Sequence, residues 1–250
     1  MARPRAEDYL EKQQQILEQA AKMFARKGFA GTSIAAIAEE CGASKALIYH
    51  YYQSKESILF DMLDTHCELL LATAQAIRSS RSISTSTAGN INKDFSKDMT
   101  DAEARLRDLL RSFMEIYVGS RDKHVVMLND LHWLPEIQQK EIREKERKVV
   151  EIFKELVRGV RPDLSAKTVT AMTMSLMGSI NWTYIWFKED GALTPQKFAD
   201  ITAALFFTGI GTVGEKAAGE KLAGEKAAGE KAGARNGLSK NAATPKKAQI

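Results

Sequence analysis

Apolar residues recur along the first quarter of the chain at helical spacing, and small polar residues mark where each run begins. From Glu7 to Lys27 the set Leu10, Ile16, Leu17, Ala20, Ala21 and Phe24 fits one helix face, with Gly28 as its stop. Thr32 then precedes Ser33-Ile34-Ala35-Ala36-Ile37-Ala38-Glu39-Glu40, which predicts a short helix with a Thr N-cap and with Ile34, Ile37 and Ala38 buried. Cys41-Gly42-Ala43 is the turn, because Gly42 adopts positive φ without a steric cost. Ser44 caps a third helix to about Tyr51, and Ser54-Lys55-Glu56 opens a fourth to about Arg78.

Residues 79–100 are rich in Ser, Thr and Asn and read as a loop. Beyond it, Leu106, Leu109, Leu110, Phe113 and Tyr117 predict a helix over about 101–119, and Val125, Val126, Leu128 and Leu131 a short one before Pro135. Ile137, Ile142, Val149, Phe153, Leu156 and Val160 mark a long, charged helix ended by Gly159 and Pro162. Two more, about 165–188 and 195–212, are apolar on more than one side, which calls for two neighbours each. The expected fold is all-α. From Gly214 a GEKAA-type unit repeats every five residues, building no helix face and placing a Gly in each unit, so 214–250 reads as a disordered tail.

Composition refines this outline. The chain of 250 residues is 44% hydrophobic and 27% charged, a globular balance. Its net charge of +4 comes from the tail: 214–250 hold eight of the 36 basic residues and four of the 32 acidic ones, which leaves 28 of each sign upstream. Charge is therefore poor evidence for nucleic-acid binding by the body. Cys41 and Cys67 make neither a disulfide framework nor a metal spacing, and MARPRAEDYL has no apolar leader core, so a cytoplasmic location and no membrane span are expected.

The motif that carries chemistry lies at 32–55. A capped short helix, a Gly-containing turn and a second capped helix, packed on a longer one, is the pattern of a helix-turn-helix, whose second helix enters the major groove. Ile48 and Tyr52 face inward with Ile37, Ala38 and Cys41, which leaves Lys45, Ala46, Leu47, Tyr49 and His50 for the groove.

The stretch GFAGTSIAAIAEECGASKALIYHYYQSKESIL resembles the DNA-binding domain of TetR-family transcriptional regulators over residues 9–60: the Thr at the start of helix two, its Ile-Ala, the Gly-x-Ser turn, the hydrophobic-Tyr-x-Tyr run and the Ser-Lys-Glu that opens helix four. Ala46 stands where Gly is common, and Tyr52 where Phe is common. The resemblance implies that Thr32 and Ser33 meet phosphates and that Ser44, Lys45, Ala46 and Leu47 lie at the groove, with Lys45 donating to guanine and Leu47 touching a thymine methyl. It further implies that Tyr49, His50 and Tyr51 contact the sugar-phosphate backbone and that Lys55 adds a phosphate contact.

The same resemblance implies a domain at 1–54 that binds operator DNA and a helical ligand-binding and dimerisation domain at 55–213, so that a homodimer reads an inverted repeat. LMGSINWTYIWFKEDGALTPQKF loosely resembles regulators that sense fatty or aromatic acyl-CoA thioesters. Candidate ligand contacts are His66, Phe113, Tyr117, Met127, His132, Trp133, Met177, Asn181 and Trp186, with Arg121 or Arg143 for phosphates; Asn181 stands out as an amide among apolar residues.

No enzyme motif appears. His132 and Glu136 are four apart but separated by Trp133-Leu134-Pro135 and lack a third ligand, and there is no Gly-rich phosphate loop or Ser-His-Asp order. No metal or cofactor is expected. The rival reading is a sequence-tolerant architectural DNA binder whose tail supplies affinity.

Overall fold

The computed structural model describes residues 3–80 and 100–210; most of the expected 79–100 loop and the whole 214–250 tail lie outside the described residues. Among the described residues ten α-helices follow in order: α1 Arg3–Lys27, α2 Ile34–Glu40, α3 Lys45–Tyr51, α4 Lys55–Ser79, α5 Asp101–Gly119, α6 Arg121–Asp130, α7 Glu136–Val160, α8 Ala166–Asn181, α9 Thr183–Trp186 and α10 Pro195–Ile210. A 3-10 turn, Leu131–Trp133, joins α6 to Leu134. Among the described residues there is no strand, and no helix is long and apolar enough to cross a membrane.

Helices α1–α3 form the small N-terminal core. Ile16, Leu17, Ala20, Ala21 and Phe24 bury the expected face of α1, while Leu10, expected with them, is exposed; Gly28 ends the helix at φ +74, its N–H donating to the Phe24 carbonyl at 2.8 Å. Gly42, φ +58, makes the turn between α2 and α3, where the Ala43 N–H donates to the Ala38 carbonyl at 2.8 Å. Ile37, Ile48 and Tyr52 close the core from α2 and the end of α3.

The N-cap of α2 differs from expectation. Ser33, not Thr32, accepts the Ala36 N–H at 3.2 Å. Thr32 is 3% exposed, and its hydroxyl donates back to the carbonyls of Gly28 (3.0 Å) and Met23 (3.3 Å), tying α2 to the end of α1. Ser44 and Ser54 cap α3 and α4 as expected, the latter in a reciprocal box with Ser57.

Of the two units of the chain, Met1–Phe207 holds this core and the helices beyond it, and Thr208–Ile250 is described only where Thr208, Gly209 and Ile210 end α10. Within the first unit α7 lies along α4 and α5, α8 packs on α7 and α5, and α6 sits against α1 and α4. Lys145 of α7 pairs with Asp64 and, at 3.0 Å, with Glu68 of α4; Arg111 of α5 makes a bidentate pair with Asp200 of α10 at 2.7 and 3.0 Å. The helix expected over 165–188 is broken after Asn181. The Thr183 hydroxyl donates to the Ile180 carbonyl at 2.6 Å, and the β-branched and aromatic run Trp182-Thr183-Tyr184-Ile185-Trp186 makes only the single turn of α9.

Candidate nucleic-acid interface and ligand cavity

The two capping serines set where α2 and α3 begin, and Ile48 and Tyr52 fix how α3 is rotated about its axis. With Ile48 fully buried, the opposite side of α3 faces outward: Lys45, Ala46, Tyr49 and His50 are exposed, Leu47 is half-buried, and Ser33 and Ser44 are exposed at the two helix starts. The Tyr52 phenol donates to Asp61 of α4 at 2.5 Å, and Gln13 of α1 donates to the same carboxylate oxygen at 3.1 Å. Burial, then the bond to Asp61, raises the Tyr52 phenol above its ordinary range.

Three expected DNA contacts stand differently. The Thr32 side chain is buried and its hydroxyl donates to two carbonyls, so the hydroxyl is turned away from any phosphate at the start of α2. Lys55 is half-buried, its ammonium donating to the carbonyls of Phe29 (2.7 Å) and Thr32 (2.8 Å) and lying 4.1 Å from the centre of the Phe29 ring. It therefore holds the loop ahead of α2 instead of standing free. Tyr51 stacks on Tyr9 of α1 at 4.5 Å, with His50 edge-on to both rings, so part of the aromatic run braces α3 against α1.

A cavity of about 270 Å³ lies among α4, α5, α6, α7 and α8. Five of the expected residues line it: Phe113, Tyr117, Met127, Met177 and Asn181. The other six do not. His66 is buried against His124, ring centres 5.8 Å apart; His132 and Trp133 are exposed, and Trp133 lies on Phe29 at 5.6 Å. Arg143 is exposed and bonded to Gln139 at 3.3 Å, while Trp186 is turned onto Phe187 and Phe198 because the chain bends at Trp182. Arg121 gives its guanidinium to the Tyr184 carbonyl at 2.8 and 3.1 Å, beside a separate cleft of about 30 Å³.

Sequence reasoning missed Cys67 and Leu70 of α4, Val149 of α7, Met174 and Gly178 of α8, and Glu146 of α7. Glu146 carried a readable signal: Ile142, Glu146, Val149 and Phe153 follow the i, i+4, i+7, i+11 rhythm, so a carboxylate interrupts a buried stripe. Burial raises its pKa, with Arg143 the opposing cation. His124 was also missed. It stacks on Tyr117 at 3.8 Å, and neither its ring nitrogens nor those of His66 have a hydrogen-bond partner. Burial lowers the two imidazoles to about 3 for His124 and about 4 for His66, the second aided by Lys123.

Comparison with known proteins agrees with this two-part arrangement. Residues 16–62 match the family model of bacterial regulatory proteins of the tetR family, and 99–210 match that of the tetracyclin repressor-like C-terminal domain. A crystal structure of a TetR-family transcriptional regulator from Bordetella parapertussis is 37% identical, covering 78% of this chain and 93% of its own, with a TM-score of 0.68. The chain belongs to the TetR family of transcriptional regulators. The HTH-type transcriptional repressor KstR2 of Mycolicibacterium smegmatis is 26% identical over 78% of the chain and 89% of the relative. The crystal structure of AibR with isovaleryl coenzyme A and operator DNA is 25% identical over 78% and 98%, TM-score 0.62. Matches to two regulators of Bacillus subtilis, YuxN and YerO, span only 19% and 30% of those relatives' length. The family is one of DNA-binding regulators, built here as a helix-turn-helix followed by a helical C-terminal domain.

Proposed function

We propose that this protein is a cytoplasmic, homodimeric repressor that leaves an inverted-repeat operator when a small molecule fills the cavity. The observation that carries this reading is the combination of an outward-facing α3, with Lys45, Ala46 and Tyr49 exposed, and a separate cavity lined from five helices. Lys45 and Leu47 read bases, while Ser33, Ser44, Tyr49 and His50 position α3 on the backbone. Exposed Met174 of α8 and Ile201 and Leu205 of α10 offer an apolar face to the second subunit.

α4 supports coupling between the two parts. Its first residue, Lys55, grips the loop before α2, and Cys67 and Leu70 further along line the cavity. Met127 of α6 lines the cavity too, and the turn after α6 places Trp133 on Phe29. A ligand that favours the conformation with poorly spaced recognition helices shifts the equilibrium by its differential affinity, and about 100-fold release needs about 2.7 kcal/mol of coupling. AibR binds isovaleryl coenzyme A, which makes acyl-CoA thioesters the first effectors to try.

The test is a fluorescence-anisotropy titration against the upstream intergenic duplex and a scrambled one, with and without a panel of acyl-CoA thioesters. Tight binding to the native duplex alone, relieved by one thioester, supports the proposal in full. Equal, strongly salt-dependent binding to both duplexes overturns it in favour of an architectural DNA binder.

A further inference from the structure

The cavity wall has one charged residue and no cation. Apart from Glu146 the wall is aliphatic, aromatic or sulfur-bearing, with the Tyr117 hydroxyl and the Asn181 amide its other polar groups. Glu146 reaches this place because it occupies a core position of α7, between Ile142, which is fully buried, and Val149. Among the described residues its carboxylate makes no hydrogen bond or ion pair, although acidic neighbours along α7 do: Glu144 pairs with Arg147 at 2.5 Å and Glu151 with Lys154 at 2.9 Å. Arg143, one turn away, is exposed and bonded to Gln139. The Asn181 side-chain oxygen, on α8, is likewise enclosed with no donor.

A half-buried carboxylate with no partner costs free energy unless something donates to it. A second anion in the same cavity meets a like charge with no base in the wall, the opposing Arg143 lying outside it. We propose that the molecule held here is an apolar compound that presents a hydrogen-bond-donating group, a hydroxyl or an amine, to Glu146. The proposal rests on the cavity being the effector site, and it specifies the chemistry of the effector's inner end: any acyl-CoA that binds keeps its phosphates outside this wall and carries a donor on the inserted chain.

The experiment is displacement of the neutral fluorophore N-phenyl-1-naphthylamine from the full-length protein by decylamine, 1-decanol and decanoate at neutral pH. Decylamine and decanol are expected to compete at least about tenfold more tightly than decanoate. In Glu146→Gln the amide oxygen still accepts from decanol, so decanol holds its affinity while decylamine weakens and decanoate improves. Glu146→Asp, which withdraws the carboxylate by one methylene, weakens both donors and keeps the rejection of decanoate. Decanoate binding tightest, or a ranking indifferent to Glu146→Gln, overturns the proposal while leaving the cavity as effector site. Failure of the fluorophore and all three probes to bind overturns the effector-site reading, and the proposal with it.

Discussion

The N-terminal core and the helical body that follows it treat buried polar groups in opposite ways. Around α1–α3 each such group has been given a partner: Thr32 finds two carbonyls and Tyr52 finds Asp61. Among the described residues, every buried side-chain nitrogen or oxygen without a partner lies from His66 onward, in His66, Arg105, Arg107, His124, Gln138, Thr173 and Asn181. An unmade bond of this kind costs about 1–3 kcal/mol, so the body gives up stability that the reading head keeps. On the function proposed above the difference suits the two parts, since a recognition helix has to hold one rotation on DNA and a sensor has to keep room and polar valency for a guest.

Two phenylalanines of equal burial test this contrast most severely. Phe24→Ala in the N-terminal core is expected to cost about 3–5 kcal/mol. Phe113→Ala is expected to cost less by about 1 kcal/mol or more, because the Phe113 ring borders empty space and has already forgone some of its contacts. Equal losses in urea-unfolding midpoints would break the comparison.

Acid sharpens it next. His66 and His124 bind protons more weakly folded than unfolded, so the unfolded chain takes up protons first as pH drops. Their stabilising contribution is whole above the ordinary imidazole pKa of 6.5 and is lost as pH falls from there toward about 4 and about 3. By that point His66 alone accounts for about 3 kcal/mol. Thermal melts across this range should steepen in the wild type relative to the His66→Phe, His124→Phe double variant, and parallel curves would remove the pair from the account.

Smaller effects follow. Tyr52→Phe deletes the bond to Asp61 while keeping the ring, and a loss of about 1–2 kcal/mol is expected, with operator affinity falling as α3 loosens. Arg111→Met, which unpairs Asp200 at a site more than a third exposed on both partners, should cost under about 1 kcal/mol and shrink further in salt. A larger loss there would show that the α5–α10 contact matters more than its exposure suggests.

The reading head was legible because its signals are local. Gly28, Gly42 and three capping serines each act within four residues, and the pattern placed α2, α3 and α4 with only the Thr32 and Ser33 roles exchanged. The cavity is assembled from five helices distant in sequence, so its members were recognised only where a residue type stood out, as with the aromatic Phe113 and the amide Asn181. Trp133 and Trp186 stood out equally and lie elsewhere, because nothing local tells which way a ring turns after a 3-10 turn or a broken helix. Glu146 needed only the α7 rhythm to be taken as seriously for its exception as for its apolar members.

Phe29 sits between two hands. The Lys55 ammonium lies on its ring at 4.1 Å, and Trp133 packs against the same ring at 5.6 Å. For anyone exchanging reading heads between relatives, this ring is the plug and Lys55 with Trp133 the socket. A graft that carries Phe29 onto a body offering a lysine and an aromatic there keeps both contacts, and one that lacks either partner leaves a face of the ring without its neighbour.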